Sequence, residues 1–333
     1  MTVHLFGGSN TRMGAGWTRP YTAAMGDVQN HAIGATSSYT ALFRFFSGPN
    51  VGPGDVVVWE YALNDREILD RDGLAVDYLL AGVEHLIRLA RARGAGFVPV
   101  LLTSLPVERG TDRGAYYDDL RRLLSHYGLH PVDVNARLRA ERGTDALTPE
   151  DYDDDVHYAR GPIHATIAKW VAEATASASV PHEVAPLYTG NTRVELVTDF
   201  ATERFRNSVL DIPVAWDRRT ARFSGDGQLL AAFLVSAPLS ASAALRVTTP
   251  GSPARSRTIA TRSIVLQHEL RALHLPEGWP VTPRSSARIA QRRLVLWPGP
   301  AVEFLRKHRR LPRATECRPA LAGLLVARDG DPE

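Results

Sequence analysis

The chain is predicted to hold two domains of different class. The first is an α/β domain with a parallel sheet covered by helices on both faces, and the second is an antiparallel β-sandwich. Three observations predict this. Apolar strand-like runs alternate with segments of helical period through residue 176. A stretch of small residues and proline then intervenes at Ala176 to Pro186. Beyond it, short strand-like runs recur between Asp-Gly, Pro-Gly and Arg/Ser/Pro-rich turns. The expected boundaries are 1–178 for the α/β domain, 179–190 for a linker and 191–333 for the β-rich domain.

Each element has its own signal. Val3, Leu5 and Phe6 form an apolar run that breaks into Gly7-Gly8-Ser9-Asn10-Thr11. A buried strand ending in such a turn presents the serine hydroxyl at the carboxyl edge of a sheet, where open α/β sheets place their ligands. Next comes Asn30-His31-Ala32-Ile33-Gly34-Ala35, whose glycine suggests a close backbone approach or an unusual dihedral. The following TSSYTALFRFF predicts a helix opening on Thr/Ser caps. Asp55 to Tyr61 is β-branched and almost continuously apolar, the pattern of a buried parallel strand, and it runs into Ala62-Leu63-Asn64-Asp65. Leu79, Leu80, Val83, Leu86, Ile87 and Ala90 predict a helix over Leu74–Arg93, with Gly94 as its stop. Phe97–Thr103 reads as a third strand, Tyr116–Tyr127 as a helix and Pro131–Val134 as a short strand. The acidic loop Asp151–His157 leads into a helix over Pro162–Ala176. Right-handed crossovers would gather the loops that follow the strands along one edge.

In the second half the strand-like runs are Val194–Phe200, Ser208–Trp216, Gln228–Ser236, Ala243–Thr249, Ser263–Leu275, Ala290–Trp297 and Ala320–Ala327. The stretches LLAAFL (229–234) and AVEFLRKH (301–308) are also open to a helical reading.

Composition sets bounds. At 44% hydrophobic and 23% charged residues, the chain is that of a globular protein with a real core. No apolar run approaches the ~18 residues of a membrane span, so none is expected. The N-terminus lacks a signal-peptide pattern and the lone Cys317 cannot form an internal disulfide; a cytoplasmic location is expected. Residues 181–333 hold 22 Lys+Arg against 14 Asp+Glu, and residues 1–180 hold 17 against 22. The basic half could favour an anionic partner. Its arginines are scattered along strand-like segments, which reads as a solvated surface, and no nucleic-acid partner is expected.

Hydrolysis of an ester by a nucleophile needs a hydroxyl, a base, an orienter for that base and donors for the oxyanion. Ser9 offers the hydroxyl and His157 a base. Asp154, three residues earlier in a loop, can fold back to the imidazole Nδ1. The donors would be the backbone N–H groups of Ser9 and Gly34 and the side-chain amide of Asn64. Four short blocks carrying these residues resemble the SGNH/GDSL hydrolases. They are Gly7-Gly8-Ser9-Asn10-Thr11, Asn30 to Ala35, Leu63-Asn64-Asp65 and Asp154-Asp155-Val156-His157, and they stand in the family's order within residues 1–178. The resemblance implies a flavodoxin-like three-layer α/β/α fold, a Ser9-His157-Asp154 triad, an oxyanion hole of Ser9, Gly34 and Asn64, and neither cofactor nor metal. Two departures stand out: Gly8 occupies the usual Asp position of the first block, and Ala62 the usual Gly position of the third.

Other readings compete at each site. Asp154 lies among Asp151, Asp153 and Asp155, a run that also reads as a solvated loop. His164 competes with His157, although the D-x-x-H spacing favours the latter. Asn64-Asp65 reads equally as a helix N-cap. The acidic run lacks Ca²⁺-loop spacing, and His4 and His31 lack metal-ligand spacing. Trp59 and Tyr61 read as core. The function expected is that of a serine esterase removing a small O-acyl group, an O-acetyl group in the first place, from a small-molecule or carbohydrate ester. The alternatives are an O-acyltransferase to a sugar or polysaccharide precursor using the same triad, and a non-catalytic glycan-binding or assembly protein. A β-rich domain is compatible with glycan binding by analogy of fold. Oligomeric state is not legible.

Overall fold

A computed structural model describes residues 1–48, 50–110, 115–216, 220–236, 240–260, 268–294 and 319–330. The chain divides into two compact units, Met1–Asn191 and Thr192–Gly330.

The first unit alternates strands and helices: β1 (Val3–Gly7), α1 (Ser9–Arg12), α2 (Thr18–Met25), β2 (Val28–Asn30), α3 (Ser38–Ser47), β3 (Val56–Glu60), α4 (Ala62–Asp72), α5 (Val76–Ala92), β4 (Gly96–Leu101), α6 (Leu105–Arg109), α7 (Ala115–His126), β5 (Val132–Asp133), α8 (Val134–Arg142) and α9 (Pro162–Ala176). The strands form one parallel sheet in the order β2-β1-β3-β4-β5. Its inner strands are apolar throughout because both faces are covered. Val3, Leu5, Val56, Val58, Val98 and Val100 pack with Ile163, Ile167 and Trp170 of α9. The alternate residues Phe6, Val57 and Trp59 are wholly buried on the other face, where α3 and α5 lie. Strand order reverses at β1, so the crevice beyond the carboxyl ends of β1 and β3 is the place where such sheets hold ligands.

Several elements have no strong signal in the sequence. The edge strand β2 is three residues long, and α4 is weakly amphipathic. Asn64 and Asp65 lie inside α4, after the cap residue Tyr61, and do not cap that helix.

Residues 179–190, expected as a linker, are hydrogen-bonded onto the first unit. The His182 N–H donates to Tyr127 O at 2.9 Å, and His126 Nε2 donates to Ala185 O at 2.7 Å. The N–H groups of Leu187, Tyr188 and Thr189 converge on the Glu84 carboxylate at 2.7–2.8 Å, and the Tyr127 hydroxyl adds a fourth donor at 3.0 Å. Glu84 is fully buried on α5, so these four donors replace its water.

The second unit contains β6 (Thr192–Val197), β7 (Glu203–Arg206), β8 (Asp211–Val214), β9 (Ala221–Arg222), β10 (Gly227–Val235), β11 (Ser240–Thr248), β12 (Arg255–Ala260), β13 (Leu270–Val281), β14 (Ser286–Leu294) and β15 (Ala320–Asp329). Two antiparallel four-stranded sheets, β13-β10-β15-β6 and β12-β11-β14-β9, share one core, with β7-β8 as a separate hairpin. Leu229, Leu234, Leu273 and Leu324 come to that core from the first sheet, and Leu245, Val247 and Ala287 from the second. The LLAAFL stretch is strand, part of β10. It is apolar without alternation because consecutive residues Ala231 to Val235 are all buried. The start of the expected run Ser263–Leu275, the end of Ala290–Trp297, all of 301–308 and Cys317 lie outside the described residues. Strand β13 continues beyond the expected run to Val281. Among the described residues no helix is long and apolar enough to cross a membrane.

The Glu84 cluster makes a quantitative expectation. Glu84→Gln turns one acceptor oxygen into a donor; placed at Oε1 it faces the Leu187 N–H, while the Tyr127 hydroxyl can turn to accept, and the lost bond costs about 1–3 kcal/mol. Thermal denaturation should show the loss, and limited proteolysis should cut between residues 182 and 190 in the variant before the wild type.

Candidate active site

The turn after β1 is built around missing side chains. A Cβ at Gly7 would lie 2.9 Å from Glu60 Oε2 and overlap the Thr11 hydroxyl. A Cβ at Gly8 would overlap the Asn64 carboxamide. The space that an Asp side chain would need at position 8 is therefore already occupied.

Glu60, the last residue of β3, holds this turn from below. Its Oε2 accepts the Gly8 N–H at 3.2 Å and the Thr11 hydroxyl at 2.7 Å, while Oε1 is buried with no hydrogen-bond partner among the described residues. Burial pushes its carboxyl up to about 7 in spite of those hydrogen bonds.

The turn places Ser9 half-buried at the carboxyl edge of the sheet, as the first residue of α1. Its Oγ lies 2.8 Å from His157 Nε2. The other ring nitrogen, Nδ1, lies 2.9 and 2.8 Å from the two Asp154 oxygens. Asp154 Oδ1 also accepts the N–H groups of Val156 and His157, both at 2.9 Å, so the carboxylate closes its own loop while it orients the ring. Burial raises the Asp154 carboxyl, but the hydrogen bonds from the His157 ring and the two backbone N–H groups outweigh it and hold the group below its usual range. The loop is stapled at its base by paired, stacked Tyr152 and Tyr158. Two others of the acidic run are spent elsewhere, Asp151 on Arg142 and Thr148 and Asp153 on Arg160.

Gly34 lies against Ser9, and Asn64 against its neighbour Gly8. Gly34 packs so closely that a Cβ there would stand 3.2 Å from Ser9 Cβ. Close approach is thus the reason for this glycine; the positive φ, 57°, belongs to its neighbour Ala35. Among the described residues, the N–H groups of Ser9 and Gly34 donate to no protein acceptor, and the Asn64 amide has no hydrogen-bond partner although the residue is 8% exposed. The Gly34 segment is anchored by Tyr61, whose hydroxyl lies 3.2 Å from both Ile33 N and Ile33 O, and by Asn30, which donates to Thr11 O at 3.0 Å.

Two further residues hold the site together and carried no such signal in the sequence. Asn10 donates to Val156 O at 2.8 Å and ties the Ser9 turn to the His157 loop. Glu60 reads in the sequence only as the polar end of a strand. Asp65 points away from Ser9: it is fully buried, accepts from Ser38 N and Oγ and from the Tyr116 hydroxyl, and burial pushes it up to about 7. Trp59 and Tyr61 are wholly buried. His164 is buried on α9, and burial lowers its pKa. His4 and His31 stack, with 3.3 Å between Nδ1 and Nε2. Among the described residues no group of three or more His, Cys, Asp or Glu is arranged to hold a metal ion.

Glu60 binds its proton more tightly in the folded chain than in the unfolded one. The folded protein therefore holds more protons between its ordinary carboxylate pKa and about 7, and stability falls as pH rises through that window. Glu60→Gln keeps an acceptor for Gly8 and Thr11 and removes the titration. The variant should match the wild type in denaturant unfolding at pH 5 and exceed it by about 1–3 kcal/mol at pH 8.

No protein-family model matches the chain, and no curated protein sequence matches it. Solved structures do. A two-domain esterase (CEX) active on acetylated mannans, co-crystallised with mannopentaose, is 14% identical and superposes with a TM-score of 0.61, covering 100% of this chain and 92% of that one. A protein described as a GDSL-like lipase, from Parabacteroides merdae, is 15% identical over 53% of this chain and 95% of its own, with a TM-score of 0.41. The YXIM protein of Bacillus subtilis is 16% identical over 53% of this chain and 56% of its own, also at 0.41. The chain thus shares the two-domain fold of the mannan-active esterase.

Proposed function

We propose that the protein is a serine esterase. The observation that carries this reading is the continuous contact from Ser9 Oγ to His157 Nε2 and from His157 Nδ1 to Asp154, with the N–H groups of Ser9 and Gly34 and the Asn64 amide donating to no acceptor among the described residues. In this reading Ser9 Oγ attacks the acyl carbon while His157 Nε2 takes its proton. The Asp154 carboxylate orients the ring and stabilises the imidazolium. The N–H groups of Ser9 and Gly34 and the Asn64 amide receive the oxyanion. Collapse breaks the bond to the alcohol, and His157 returns the proton to that leaving oxygen. Water, deprotonated by the same ring, then attacks the acyl-enzyme; the acid leaves and Ser9 regains its hydrogen.

The acyl group is proposed to be small, an acetyl, and the alcohol a carbohydrate. The mannan-active esterase with the same two-domain fold supports this choice of substrate class. The β-rich unit, taken as residues 191–333, is proposed as an accessory module for the glycan.

The experiment is turnover of p-nitrophenyl acetate with fluorophosphonate labelling, followed by acetate release from acetylated mannan. Wild type should turn over ester and label; Ser9→Ala should not label and should lose at least about 10³-fold in kcat. A folded wild type that neither labels nor hydrolyses would overturn the reading.

Asn64→Ala should lower kcat about 10²–10³-fold with labelling slowed but present. Gly8→Ala should act in the same way, because its methyl group displaces the Asn64 amide. Undiminished turnover in Gly8→Ala would remove Asn64 from the oxyanion role.

A further inference from the structure

The four-stranded sheet β12-β11-β14-β9 is unlike the rest of the second unit in charge. Its strands contain seven arginines and no Asp or Glu. The partner sheet is balanced, with Arg193, Arg271 and Arg328 set against Glu195, Glu277 and Asp329. Strand register decides where the charges go. Arg246 of β11 pairs directly with Arg288 of β14, and Arg222 of β9 pairs with Ser286, two residues along the same side. The residues of opposite parity, Leu245, Val247, Ala221 and Ala287, are buried in the core. Arg222, Arg246 and Arg288 therefore share the outward face, and all three are exposed. None of them makes an ion pair or a side-chain hydrogen bond among the described residues; Arg257, by contrast, reaches Glu277 at 3.4 Å.

Two like charges directly opposite across a strand pair are destabilising. The fold accepts that cost at Arg246 and Arg288 and supplies no carboxylate to relieve it from any of the four strands. Hydroxyl groups fill the positions between: Ser256 lies beside Arg246 on β12, and Thr248 pairs with Ser286.

We infer that this sheet face binds an acidic polysaccharide, a chain bearing repeated carboxylates. Guanidinium forks match carboxylates in bidentate geometry, and the intervening hydroxyls match those of the sugar rings. The chemistry of the face disfavours other polyanions. Single-stranded nucleic acid needs aromatic side chains for stacking, and the four strands contain no Phe, Tyr or Trp. An anionic membrane surface is held by apolar anchors as well as charge, and the large hydrophobic side chains that stand exposed among the described residues, Met1, Val180 and Leu187, all belong to the first unit. The inference does not rest on the ester reading: it concerns other side chains, and its test reads binding, not turnover.

The test uses the full chain and polygalacturonate as the probe, with neutral mannan, oligo(dT) and phosphatidylserine vesicles as comparators. Wild type should bind polygalacturonate at low ionic strength and release it as salt is added. The triple variant Arg222→Gln, Arg246→Gln, Arg288→Gln should bind about tenfold more weakly, the sum expected of three exposed ion pairs. It should also melt at or above the wild-type temperature, because the opposed charges are gone. Undiminished binding by a folded triple variant would overturn the inference, as would failure of the wild type to bind. Equal or tighter binding to oligo(dT) or to the vesicles would overturn the assignment to a glycan.

Discussion

The turn carrying Ser9 is held by groups from strands and loops remote in sequence, and the rest of the site depends on that grip. The Glu60 carboxyl receives Gly8 and Thr11 from beneath, the Asn64 amide fills the space over Gly8, and Asn10 reaches across to the His157 loop. A hydroxyl on a turn with two adjacent glycines would otherwise lose its orientation to backbone entropy. Here the glycines are tolerated because neighbouring side chains occupy the volume that their own would have taken. The missing acid at position 8 follows from the same packing: the carboxyl that organises the turn comes from the end of β3.

This arrangement has an energetic cost that sits close to the chemistry. Glu60 and Asp65 are both fully buried, and burial raises both well above an ordinary carboxyl. One oxygen of Glu60 has no hydrogen-bond partner among the described residues. Buried groups held in this way make the sheet edge sensitive to pH, whereas Asp154, exposed and rich in hydrogen bonds, is held ionised. Two kinds of carboxyl thus lie within one site. The buried ones hold the turn and the alignment of the edge; the exposed one holds a ring.

How much of this was legible depended on sequence distance. The Asp154–His157 contact spans three residues, so spacing alone proposed it, and the strands β1, β3 and β4 were visible because burial on both faces leaves a continuous apolar run. The meeting of Ser9 with His157 spans 148 residues and was suggested only by block order and family resemblance. Glu60 and Asn10 were not legible as parts of the site, because a strand-end glutamate and a turn asparagine carry no mark of the direction in which they point. Asp65 looked like a cap and is instead the acceptor for Ser38 and Tyr116.

By itself the sequence determined the alternation of strands and helices in the first half, the change to short antiparallel strands after residue 190, and the local D-x-x-H geometry, all of which are set by periodicity and short-range spacing. Tertiary structure alone decided three things. It fastened residues 179–190 to Glu84, a hundred residues earlier in the chain. It chose close approach, not a left-handed dihedral, as the reason for Gly34. It also brought arginines that look scattered along the chain onto one sheet face, since strand register, and not sequence separation, sets which side chains become neighbours.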